Sequence, residues 1–146
     1  MRTFHHALTV AAMVLAVLTL TAAQDQAKPE IKHVPIKQTS AASGSEMYKA
    51  YCAACHGING KGNGPAAEAL KVPPSDLAVL AKKNGGQYPA MKVSAIIRGE
   101  EVLAAHGSKD MPVWGNLFWT MSGGHEAEVQ QRVANLNKYI ESLQTK

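Results

Sequence analysis

The sequence predicts a small all-α domain with long loops, and three observations carry that expectation. From His125 to Gln144 the apolar residues Val129, Val133, Leu136, Ile140 and Leu143 recur at steps of four and three, painting one stripe along a helix. No stretch alternates apolar and polar residues as a half-buried strand would. Residues 57–74 are broken by Gly60, Gly62, Gly64, Pro65, Pro73 and Pro74, so regular structure there is limited to a turn or two around Ala66–Leu70. At 146 residues, 46% hydrophobic and 18% charged, the chain holds one compact domain and hardly two. Two cysteines exclude a framework of several disulfides, and the apolar fraction excludes a wholly disordered chain. A net charge of +4, without Lys/Arg blocks or interleaved aromatics, argues against nucleic acid as a partner.

Residues 1–23 read as an export signal. Arg2 stands before an uncharged run whose most apolar part is Val10–Leu20, and Thr21, Ala22 and Ala23 supply the small residues of a cleavage site. The alternative is an uncleaved membrane anchor, but about 20 continuously apolar residues are needed to span a bilayer, and Thr9, Thr19 and Thr21 interrupt this stretch. Residues 24–42, with Pro29, Pro35 and many polar side chains, read as a flexible tether. The folded domain is then expected over 43–146.

Within that domain, Ser43 followed by Glu46 fits a capping box at the start of a first helix carrying Met47, Tyr48 and Tyr51. Ser75–Lys82 and Val93–Arg98 are short helical candidates with apolar residues three and four apart, and Gly99 is placed to end the second. Glu126 and Glu128 in the first turn of the last helix suit its dipole.

The decisive run is Cys52-Ala53-Ala54-Cys55-His56, which holds both cysteines of the chain. A Cys-x-x-Cys-His run is the signature of covalent haem c attachment. One helical turn lets both thiols form thioethers with the two vinyl groups of a porphyrin while the adjacent imidazole turns to the iron. A zinc site would need a second pair of ligands that the sequence does not pair with these. A thioredoxin-like dithiol would need a strand before the motif, and a simple disulfide would leave His56 without a role. For the second axial position the best candidate is Met111 in Asp110-Met111-Pro112, because His/Met ligation is a cytochrome c pattern and Pro112 keeps Met111 extended. Met47 lies on the attachment helix, Met91 and Met121 lack the Met-Pro setting, and His106 is the runner-up. Trp114, Phe118 and Trp119 are expected either to wall the haem or to pack the core. Arg98 is a candidate partner for a haem propionate, although a solvated arginine is the plainer reading.

Over Gly44–Gln144 the chain resembles the bacterial class I mono-haem cytochromes c. The residues that carry the likeness are Gly44, Tyr48, Cys52–Gly57, Gly60–Pro65, Met111-Pro112, Trp114-Gly115, Leu136, Tyr139 and Ile140. The resemblance implies a cytochrome c-like fold whose N- and C-terminal helices cross near Gly44 and Tyr139, with short helices and loops around one covalent haem. It also implies that a proline carbonyl accepts a hydrogen bond from the non-ligating nitrogen of the haem histidine, with Pro65 as the matching residue.

The expected function is one-electron transfer in the periplasm by a non-enzymatic carrier, to or from a larger redox enzyme such as a dehydrogenase or terminal oxidase. Lys61, Lys71, Lys82, Lys83, Lys92 and Lys109 are available to steer it to an acidic face. The rival reading is a five-coordinate haem protein that binds gas or acts on peroxide. A membrane enters only if the N-terminal segment stays uncleaved.

Overall fold

A computed structural model describes residues 36–101 and 113–145. Among them are six α-helices and no strand: α1 Gly44–Tyr51, α2 Ala53–His56, α3 Leu80–Lys83, α4 Ala90–Arg98, α5 Trp114–Met121 and α6 Glu126–Ser142, with 3₁₀ turns at Ala67–Ala69 and Leu77–Val79. The all-α expectation holds. None of these helices is long and apolar enough to cross a membrane.

The long helix α6 is the hub, packing against α1, α4, α5 and the Leu77–Val79 turn. Its predicted stripe is the buried face: Val129, Val133, Leu136 and Ile140 lie in the core with Met47, Tyr48 and Phe118, and Leu143 packs against them. The α1–α6 crossing is close because residue 44 has no side chain. A Cβ on Gly44 would collide with the Asn135 carbonyl and press on Tyr139. Just beyond the crossing the Tyr48 and Tyr139 rings meet with centroids 5.2 Å apart.

Ser43 caps α1 with its hydroxyl, which accepts from the Glu46 N–H at 3.2 Å. The second half of the expected capping box differs, since the Glu46 carboxylate accepts from the Ser40 N–H. That contact belongs to a larger departure from the expected tether. Thr39 is buried, the Tyr51 hydroxyl donates to the Lys37 carbonyl at 2.7 Å, Arg132 donates to the Thr39 carbonyl at 3.0 Å, and Asn135 donates to the Ala41 carbonyl at 2.8 Å. Residues 37–42 are therefore bound to the domain, and the packed structure begins before Ser43. Polar composition hid this, because much of the binding is made by backbone carbonyls, which no side-chain pattern reveals, with the Thr39 hydroxyl adding a 2.7 Å bond to Tyr51.

Three other elements differ from expectation. The Ser75–Lys82 candidate is a 3₁₀ turn, Leu77–Val79, capped by the Asp76 carboxylate and running into the short helix α3. α4 starts three residues before Val93, after Pro89, because Ala90, Met91 and Lys92 are exposed and add nothing to the apolar period. α5 was not expected as a helix. Its residues Trp114, Leu117, Phe118 and Met121 do stand three and four apart, and Phe118 is fully buried.

Candidate haem site

The Cys-x-x-Cys-His run occupies one turn set at the end of α1. Cys52 still donates its N–H to Tyr48 but has ψ −35° at φ −112°, and the His56 N–H returns to the Cys52 carbonyl at 2.8 Å. The Tyr48 hydroxyl, fully buried, donates to the Gly57 carbonyl at 2.8 Å and ties the end of this turn to α1. The glycine-rich loop then folds back over the turn. The N–H groups of Gly62, Gly64 and Ala66 donate to the carbonyls of His56, Cys55 and Ala54, satisfying acceptors that a helix end leaves open. Gly64 lies so close to the Ala53 and Ala54 carbonyls that a Cβ would overlap them.

His56 is buried, and its Nδ1 lies 3.0 Å from the Ser75 carbonyl. A carbonyl only accepts, so Nδ1 is the protonated nitrogen, and in the neutral imidazole this makes Nε2 the nitrogen suited to a metal. This corrects the expectation for Pro65. That proline is exposed on the fold-back loop, and Ser75 supplies the acceptor because Pro73 and Pro74 carry the chain across the site. Gly62 lets this happen: it has φ +76°, and a Cβ on it would strike the Pro74 carbonyl.

An apolar cavity opens over the motif, with about 740 Å³ of empty space including its mouth. Cys52 and His56 line one side; Leu77, Leu80, Val93, Ile96, Ile97, Trp114, Leu136 and Ile140 form most of the rest. Trp114 thus serves both expected roles, walling the cavity and packing the core, where it stacks on Tyr51 at 4.9 Å. Phe118 is core, and Trp119 is half-exposed beside Gly124. Cys55 is half-buried on the same turn, and neither cysteine is in a disulfide. Burial pushes the Cys52 thiol up to about 12, with the neighbouring Cys55 adding to the effect.

These residues fit a haem c. The walls are apolar as a porphyrin face requires, two thiols stand on one turn, and an imidazole is held with Nδ1 against a carbonyl. Haem c, when bound, supplies one-electron exchange between two oxidation states of its iron. Cys52 and Cys55 would anchor it through thioethers, the Ser75 carbonyl would fix the His56 ring, and the aliphatic walls would exclude water. Met111 and His106 lie outside the described residues.

Ser75, Leu77 and Leu80 were not singled out as site residues by sequence. The signal available was Pro73-Pro74, which forces an extended chain immediately before Ser75.

A family model described as Cytochrome c matches residues 41–144. Neither the curated proteins nor the solved structures offer a match. The matched span contains the haem turn, the fold-back loop and all six helices, and the chain belongs to the cytochrome c family, as a haem c protein of electron transfer.

Proposed function

We propose that this chain is an exported one-electron carrier whose haem iron is ligated by His56 and Met111, and that it exchanges electrons with a larger redox enzyme such as a dehydrogenase or terminal oxidase in the periplasm. The observation that carries the reading is the buried His56, held by the Ser75 carbonyl at 3.0 Å on the wall of an apolar cavity. Met111 is supported by what flanks it. α4 and α5 both line the cavity through Ile97 and Trp114, and Gly99 and Val113 approach so closely that a Cβ on Gly99 would strike the valine. Gly99 and Val113, which flank the segment between these helices, therefore stand close together next to two cavity-lining helices, and among the residues between them Met111 offers the soft sulfur donor that suits haem iron. With both axial positions filled by protein, the site has no coordination position for oxygen or peroxide, which argues for a carrier rather than an enzyme. The periplasmic assignment rests on the leader-like residues 1–23.

Visible spectra of the matured protein test this. Covalent haem survives denaturation, oxidised wild type shows the weak red band of methionine-to-iron charge transfer, Met111→Ala abolishes that band, and carbon monoxide leaves reduced wild type unchanged. Ready binding of carbon monoxide by wild type would instead establish an open coordination site and the gas- or peroxide-binding reading.

A further inference from the structure

Arg98, the sequence candidate for a haem propionate, is committed elsewhere. Its Nη1 lies 3.4 Å from Glu126 Oε1 and its Nε 4.0 Å from Glu100 Oε1, and it does not line the cavity. Among the described residues, the one Lys, Arg, Asp or Glu side chain that lines the cavity is Lys92. Its neighbours Val93, Ile96 and Ile97 also face the cavity, while the Lys92 side chain is 54% exposed. A half-exposed lysine on a cavity wall stands at the rim, its methylenes covering apolar surface and its ammonium reaching water. Nζ lies 3.5 Å from Glu101 Oε1 in a pair exposed on both sides. Such a pair contributes little to stability, so the ammonium can exchange that carboxylate for another at small cost.

A porphyrin is apolar over its faces and most of its edge but carries two propionate carboxylates on one side. An ionised carboxylate at an apolar rim is costly unless a cation pairs with it. Among the described residues the cavity supplies such a cation at one place. The geometry points to Lys92 as the residue that holds a haem propionate, in exchange with Glu101. This deepens the haem c reading and rests on it, so retention of haem after denaturation is established first for every variant.

The test uses the matured full chain with Lys92→Gln, Lys92→Arg and, as a control on an exposed face of α1, Lys49→Gln. The expected result is that Lys92→Gln lowers the midpoint potential, because an unpaired propionate favours the more positive iron. It also shifts the propionate carboxylate band in the reduced-minus-oxidised infrared spectrum. Lys92→Arg keeps both values near wild type, and Lys49→Gln leaves the band in place. A long-range or merely structural effect does not move that band, so a Lys92→Gln band coincident with wild type overturns the assignment. A variant that keeps Lys92 gives a second reading should Lys92→Gln fail to fold. In a Glu101→Gln background the reduced, diamagnetic protein is expected to show the ¹⁵N resonance of the Lys92 ammonium moving as the propionate is protonated while that of Lys49 stays, and an unmoved Lys92 resonance also overturns the proposal.

Discussion

His56 Nδ1 and the Ser75 carbonyl oxygen stand 3.0 Å apart, joining the haem-binding turn to a segment 19 residues further along the chain. The bond is indirect in its origin. Ser75 is where it is because Pro74 lies against Gly62, and because the Gly60 carbonyl accepts the Leu77 N–H at 2.6 Å. The tautomer of His56 therefore depends on a glycine that does not line the cavity and that bonds His56 itself through the backbone carbonyl.

Gly62→Ala tests this chain of contacts. The new Cβ meets the Pro74 carbonyl at a backbone with φ +76°, a combination of crowding and strain expected to cost about 1–3 kcal/mol. It also pushes the Ser75 carbonyl off Nδ1. A hydrogen bond from that nitrogen raises the basicity of the ligand, and a more basic ligand favours oxidised iron. The midpoint potential is expected to rise along with the loss of stability. Spectroelectrochemistry and thermal melts measure both, and an unchanged potential in a destabilised variant contradicts the linkage.

Arg132 is the second unexpected hub. Its side chain is 4% exposed, yet it reaches Glu128 at 2.7 Å, the Ser122 hydroxyl at 3.3 Å and the Thr39 carbonyl at 3.0 Å. Replacing it with Met removes the donor to Thr39 and is expected to cost about 2 kcal/mol, in the range for orphaning a buried polar group. Glu128 is 38% exposed, so water partly screens its loss and Glu128→Gln is expected to cost about 1 kcal/mol or less. The distinguishing readout is local: limited proteolysis at Lys37 should accelerate in Arg132→Met and much less in Glu128→Gln.

What the sequence made legible follows from what each kind of signal encodes. The α6 stripe, the Ser43 cap and the Cys52–His56 turn were all readable, because periodicity, capping chemistry and thiol spacing are properties of short contiguous stretches. The acceptor for His56 was misplaced at Pro65, because any residue offers a carbonyl and only the fold-back of the glycine loop decides which one arrives. The same holds for residues 37–42, which dock largely through the carbonyls of Lys37, Thr39 and Ala41. Lys92 read as one surface lysine among several, since its place at the cavity rim depends on how α4 is rotated against α6.

The thiol of Cys52 gives a pH prediction for the chain before haem attachment. Burial, and secondarily Cys55, raise it from about 9.0 to about 12 in the folded state. A raised value means that the folded chain holds its proton more tightly than the unfolded chain does. The corresponding stability is fully present below pH 9 and is lost progressively as pH rises from about 9 to about 12. Denaturant titrations of the reduced, haem-free protein should show this decline, to which the Tyr48 and Tyr88 hydroxyls, also raised by burial, add above about pH 10, and Cys52→Ser should remove the part that begins near pH 9. At pH 8 the thiolate fraction at Cys52 is very small, so iodoacetamide should modify Cys52 far more slowly than a model thiol. Rapid labelling of Cys52 in the folded protein would contradict the burial.

Asn137 fixes the cavity wall, and its removal should be felt there. The amide is buried on α6, donating to the Ala90 carbonyl at 2.7 Å and the Ser94 hydroxyl at 2.6 Å, while its oxygen accepts from the Tyr88 hydroxyl at 2.6 Å. Those three partners hold the first turns of α4, whose Val93, Ile96 and Ile97 line the cavity. A leucine side chain is not far from asparagine in size but makes none of these bonds, so Asn137→Leu strands several polar groups at once. The expected cost is about 1–3 kcal/mol. The Tyr88 hydroxyl also donates to the Asn137 backbone carbonyl at 3.2 Å, a bond that Asn137→Leu leaves in place, so Tyr88→Phe should cost less in the Asn137→Leu background than in wild type, where it also breaks the 2.6 Å bond to the side-chain oxygen. A double-mutant cycle measures this coupling. Strict additivity of the two substitutions would show that the Tyr88–Asn137 bond does not contribute to seating α4.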